Sequence, residues 1–139
     1  MKKILAASVG ALLLTGSLVA TSGSAAQADP YPGTIATSTS VTASPAKVKL
    51  RKKVTVCASV TASGNVAPSG TISFTVSRGS KVYLTSTQAY SGTSVCVKTK
   101  KLKKKGRYTA SAAFTAPANS VFKASSGSTT FKVKKKKRR

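Results

Sequence analysis

The sequence predicts an all-β fold, a sandwich of about seven antiparallel strands, and three observations carry that prediction. From residue 29 onward apolar residues alternate with polar ones, the signature of strands that bury one face. Gly, Pro and Ser clusters interrupt the alternation about every ten residues, where turns belong. Past the first 28 residues, no window spaces its apolar side chains at the roughly 3.6-residue period of a helix.

The elements follow in chain order. Residues 1–28 read as an export signal. Lys2 and Lys3 give a positive start, Ile4 to Ala20 is almost wholly apolar, and Ala26-Gln27-Ala28 is a small-x-small cleavage signature, which places the cut between Ala28 and Asp29. The apolar run has 17 residues. That is short of the about 20 a spanning helix needs, and Gly10, Thr15, Gly16 and Ser17 dilute it. Processing would leave 111 residues, enough for one modest core. The expected organisation is a signal peptide over 1–28, a flexible N-terminal segment over 29–34, a sandwich over 35–134 and a basic tail over 135–139.

Within the sandwich, period two assigns an inward face to each strand. The first carries Thr37, Thr39, Val41 and Ala43, with Val48 and Leu50 after Pro45. The second carries Val54, Val56, Ala58 and Val60. Ile72, Phe74 and Val76 line the third, after the Pro68-Ser69-Gly70 turn. A short fourth strand after Arg78-Gly79-Ser80-Lys81 turns Val82 and Leu84 inward. Val95 and Val97 line the fifth, Tyr108, Ala110, Ala112 and Phe114 the sixth, and Phe131 and Val133 the last. Seven such strands in about 100 residues is the pattern of an immunoglobulin-like sandwich.

Thr39-Ser40-Val41-Thr42-Ala43-Ser44-Pro45, then Val54-Thr55-Val56, then Ser69-Gly70-Thr71-Ile72-Ser73-Phe74 make a longer pattern. Gly106-Arg107-Tyr108-Thr109-Ala110, Phe114, Phe122, Ser125 and Thr130-Phe131-Lys132-Val133 continue it. In order and spacing this resembles the bacterial immunoglobulin-like domains of the Big_3 type, over about residues 35–134. The resemblance implies a stalk, adhesion or carbohydrate-contact module of a surface or secreted protein. The chain departs from the family in holding one copy and in being far more basic. It also has Ala116-Pro117-Ala118-Asn119 where the family often carries Gly-Asp, and so lacks the acidic residue a calcium-binding version would use.

Parity decides where the cysteines face. Val56 and Ala58 point inward, so Cys57 points out; Val95 and Val97 point inward, so Cys96 points out as well. In an immunoglobulin-like sandwich these two strands are antiparallel neighbours in one sheet, so a Cys57–Cys96 bridge on the outer face is expected, as suits an oxidising exterior. Tyr108, opening its strand after Gly106-Arg107, looks like the tyrosine corner of such folds, its hydroxyl bonding a nearby backbone group. Tyr31, Tyr83 and Tyr90 carry no such pattern.

Composition excludes most chemistry. Histidine is absent and Asp29 is the only acidic residue. General acid–base catalysis and serine activation lack their usual partners, and oxygen-coordinated metals lack carboxylates. No catalytic residue, metal site or cofactor is expected. What the sequence has in excess is positive charge, +23 over the whole chain. Lys47, Lys49, Arg51, Lys52 and Lys53 fall at one predicted turn, and Arg78 and Lys81 at another. Lys98, Lys100, Lys101, Lys103, Lys104, Lys105 and Arg107 fall at a third. Lys132, Lys134, Lys135, Lys136, Lys137, Arg138 and Arg139 close the chain. An up-and-down tracing brings these runs to one pole and leaves Lys123 at the other. Runs of like charge without acidic neighbours repel one another, and basic tails commonly bind polyanions. The expected function is therefore an exported, non-catalytic binding module. Its basic pole would contact a polyanion, namely an envelope polymer, an anionic surface or extracellular DNA. The alternative is a structural or adhesive module that recognises protein or carbohydrate through neutral loops.

Overall fold

The computed structural model describes residues 35–135. The export signal with its Ala28–Asp29 cut, the 29–34 segment and the tail residues Lys136, Lys137, Arg138 and Arg139 lie outside the described residues. The described chain is all-β. Its strands are β1 (Thr37–Ser44), β2 (Lys47–Lys49), β3 (Thr55–Ala62), β4 (Ser69–Arg78), β5 (Lys81–Ser91), β6 (Val95–Lys98), β7 (Gly106–Thr115) and β8 (Ser125–Lys134). One sheet runs β1-β3-β6 and the other β2-β8-β7-β4-β5.

The alternation read from the sequence is what packs the two sheets together. Val56, Ala58 and Val60 of β3 face Ile72, Phe74 and Val76 of β4, Tyr108, Ala110, Ala112 and Phe114 of β7, and Phe131 and Val133 of β8, all buried. The other face of each of these strands is mostly polar, so a one-residue slip would expose the whole apolar set. The first predicted strand is two strands in fact. Pairing of β1 with β3 ends at Ser44–Thr55, where Pro45 removes a donor from the ladder. The chain crosses to the other sheet, and β2 pairs with β8. That pair is parallel, an exception to the antiparallel expectation, because β2 keeps the direction of β1 while lying beside a strand that runs the same way.

The free edge of β1 is closed by β8. Thr37 and Thr39 make side-chain hydrogen bonds of 2.7 Å with the Ser125 hydroxyl. Gly127 lets the backbones approach; a Cβ there would run into the Thr39 carbonyl oxygen.

The fourth predicted strand is the one the alternation misjudged. It is eleven residues long and pairs with β4 along its whole length. Val82, expected inward, is 53% exposed. Val76 pairs with Leu84 while Ser77 pairs with Val82, so Tyr83 is the extra residue of a bulge, and facing inverts across it. Tyr83 consequently lies edge-on to Tyr108, ring centroids 5.1 Å apart. At the other end of β5, Tyr90 is buried. Its hydroxyl accepts from the Val60 N–H at 2.9 Å and donates to the Val60 carbonyl at 3.0 Å. The reason is the shortness of β6, which pairs only with Thr55–Ala58 of β3. Where β6 stops, the Tyr90 hydroxyl takes over as partner for the β3 backbone.

Candidate functional site

The basic runs meet at one end of the sandwich, and backbone hydrogen bonds tie three of them together. Leu50 N–H donates to the Lys134 carbonyl at 2.9 Å and Arg51 N–H to the Leu102 carbonyl at 2.8 Å. Leu102 N–H donates to the Lys52 carbonyl at 3.1 Å and Thr99 N–H to the Val54 carbonyl at 2.9 Å. The turn between β2 and β3, the loop between β6 and β7 and the end of β8 thus form one surface. Arg51 sits in it with φ 64°, a left-handed conformation uncommon for a side-chain-bearing residue. The fourth run joins through Gly106, against whose Cα the Arg78 side chain lies.

Two residues inside the lysine-rich loop hold it down. Leu102 is buried, and so is Thr99, whose hydroxyl accepts from the Val54 N–H at 2.9 Å. Sequence reading passed over Leu102 as part of a charge run. A lone apolar residue flanked by Lys100, Lys101, Lys103 and Lys104 is nonetheless the signal of an anchored loop rather than a solvated one. With the backbone pinned at Leu102, the ammonium groups of Lys100, Lys101, Lys103, Lys104 and Lys105 all belong to exposed residues.

The cations extend from the pole onto the outer face of the larger sheet. Lys47 stands opposite Lys132, which stands opposite Arg107, and Lys49 stands opposite Lys134. All five are exposed. Neighbouring strands lie about 4.8 Å apart, so this is a lateral row of like charges in direct cross-strand register, an arrangement that destabilises a sheet on its own. No acidic residue occurs among the described residues to offset it. Lys132, Arg78 and Lys81 stand with the other pole cations, as the tracing of the runs expected. Lys98 departs from the set: it lies opposite Thr55 on the outer face of the smaller sheet. Lys53 and Lys135 are exposed at the pole, and Lys123 lies in the connection between β7 and β8 at the opposite end.

Under the pole, Tyr108 donates to the Lys104 carbonyl at 2.9 Å, the tyrosine-corner bond that the sequence resemblance implied. Tyr108 also stacks on Phe131 at 5.4 Å. Burial, and then the neighbouring Tyr83, push its phenol above the ordinary value. For Tyr83 burial works upward too, but the Arg78 guanidinium and the Tyr108 hydroxyl beside it outweigh burial and bring its phenol below the ordinary value. The Tyr83 hydroxyl is enclosed without a partner at hydrogen-bonding geometry.

Cys57 and Cys96 are directly opposite in the β3–β6 register, Cα atoms 4.0 Å apart, and are joined as a disulfide with S–S 2.04 Å. It lies on the outer face of the smaller sheet, as parity required, and apart from the basic runs except Lys98.

The fold is an immunoglobulin-like β-sandwich. No family model matches the chain, and no curated protein does. Among solved structures it is similar to a cycloisomaltooligosaccharide glucanotransferase from Paenibacillus sp., crystallised with cycloisomaltoheptaose. That match has 19% identity and TM-score 0.54 over 71% of this chain and 14% of the enzyme chain. A CARDB domain from Pyrococcus furiosus, solved in complex with di-metal ions, aligns at 13% identity and TM-score 0.41 over 71% of this chain and 91% of that one. A β-glucosidase from Erythrobacter marinus aligns at 15% identity and TM-score 0.45 over 71% and 15%. The chain thus spans about one seventh of the length of the glucanotransferase it matches.

Proposed function

We propose that this chain is an exported, non-catalytic binding module of the Big_3 type whose basic pole holds a polyanion, most simply an anionic polymer of a cell envelope. The observation that carries the reading is the Lys47–Lys132–Arg107 row. Like charges placed directly opposite one another cost a sheet stability, and a rigid surface of them with no internal counter-charge is complementary to an external anion. Leu102 and the hydrogen bonds around it support the same reading, since they fix the spacing of the lysines instead of leaving them on a mobile loop. Lysines outnumber arginines 19 to 5, which favours point-charge contact over bidentate readout, so binding should be indifferent to ligand sequence. Export rests on the disulfide together with the leader motif. Among the described residues no helix is long and apolar enough to cross a membrane, which is compatible with that location.

The test is a panel of duplex DNA, teichoic-acid-type polymer and acidic polysaccharide at several ionic strengths. Neutralised phosphates release condensed counterions, so for DNA the log–log slope should approach about −0.9 per contact. Six to ten contacts would then lose about 10³–10⁵ in affinity between 50 and 200 mM salt. Changing Lys103, Lys104 and Lys105 to Gln should flatten the slope, as should deleting Lys134–Arg139, whereas Lys123→Gln should leave it. Salt-independent binding, or a Lys123 effect as large as the tail deletion, would overturn the reading and favour recognition of protein or carbohydrate by the neutral loops.

A further inference from the structure

We propose that the outer edge of β5 is a self-association site, pairing antiparallel with β5 of a second copy to join two five-stranded sheets into one. The observation is a contrast among the edges. β2 is three residues long with lysine at both ends, β6 has four residues, and β1 is closed against β8 through Ser125 and Gly127. These are the usual protections of a sheet edge: shortness, charge and cover. β5 has none of them over most of its length. It is the terminal strand of its sheet, and from Val82 to Ser91 it contains no charged residue and no proline. Among the described residues nothing pairs with its outer side. Its one bulge lies at the Tyr83 end, leaving Leu84–Ser91 regular. The strand is also held in place, by β4 along its whole length and by Tyr90 at its far end. A row of backbone donors and acceptors is therefore presented already ordered.

Charge selects the occupant. An anionic partner is drawn to the pole, while this edge is neutral and suits a neutral strand. β5 is itself such a strand, and its self-pairing is complementary, as a two-fold contact requires. An axis at Ser86 sets Thr85 opposite Thr87 of the second copy, a favourable cross-strand pair, and Lys81 opposite Ser91, so no like charges meet. Antiparallel pairing also sends the two basic poles to opposite ends of the joined sheet. Parallel pairing would bring them together, which their repulsion disfavours. The dimer stands independently of the polyanion reading; if both hold, each dimer presents two poles facing apart and could link separate polymer strands.

Sedimentation of the processed, disulfide-bonded chain over a range of concentrations should show a reversible monomer–dimer equilibrium. That equilibrium should persist or strengthen at 500 mM salt, where the pole-to-pole repulsion is screened and polyanion binding is lost. Hydrogen exchange should show β5 amides gaining protection as concentration rises. The pair Thr85→Lys/Thr87→Lys opposes cations across the axis and should raise the dimer Kd about tenfold or more, with thermal melting of the monomer and the salt slope for DNA retained. A chain monomeric at every concentration, a dimer indifferent to that pair, or β5 protection that does not change with concentration would each overturn the proposal. The exchange measurement on the unmodified chain decides the matter even if the double variant fails to fold.

Discussion

Replacing Tyr90 with Phe isolates one oxygen atom that links the two sheets. The Tyr90 hydroxyl satisfies both the N–H and the carbonyl of Val60, at 2.9 and 3.0 Å, at a point on β3 beyond the reach of β6. Val60 is buried, so losing the hydroxyl leaves a donor and an acceptor unpaired in the interior. An unpaired buried group costs about 1–3 kcal/mol. The ring remains, with its edge-on contact to Phe114 at 5.9 Å, so no large cavity opens. The expected loss is about 2–3 kcal/mol, or roughly 8–20 °C in Tm for a domain of this size. Urea unfolding with the disulfide intact measures it, as a lower midpoint at unchanged slope. Tyr83→Phe is the matched control. It removes a hydroxyl from the same strand, one that has no hydrogen-bond partner, and should cost less than about 0.5 kcal/mol or stabilise slightly. If the two variants unfold at the same midpoint, Tyr90 is not the substitute for a missing strand and the account of β6's shortness is wrong.

Converting both Cys57 and Cys96 to Ser should cost about 4 kcal/mol by the chain-entropy model for a loop of this length. Calorimetry would show it, while affinity for DNA should stay within a factor of about two because the bridge is apart from the pole. Leu102→Ala removes the buried anchor of the lysine loop and should lose about 2–5 kcal/mol; it should also weaken polyanion binding although no charge is changed, which a filter-binding assay at low salt would detect. Gly127→Ala drives a methyl group into the Thr39 carbonyl and should cost about 1–3 kcal/mol, with faster hydrogen exchange confined to the β1–β8 seam.

What the sequence determined by itself was whatever local periodicity encodes. Burial on one face of a strand forces alternation, so the inward residues of β3, β4, β7 and β8, the outward cysteines and the all-β class could all be read directly. Tyr108 was legible too, because its corner bond reaches only four residues back along the chain. The tertiary structure decided what depends on partners far along the chain. Val82 misled the alternation because a bulge breaks parity only when a partner strand is present to define the register. The length of β5 was hidden because an edge strand opposite a smaller sheet has little apolar surface to bury, so Thr85-Ser86-Thr87-Gln88 looks like loop. Tyr90 gained its role only because β6 begins at Val95, opposite Ala58, and so leaves Val60 beyond its reach. The candidate site divides in the same way. Clustering of the cations in sequence showed that charge matters. Their convergence, the cross-strand row through Lys132, and the buried Leu102 beneath them arise from hydrogen bonds and strand pairings between segments about 25 to 85 residues apart, which no local pattern specifies.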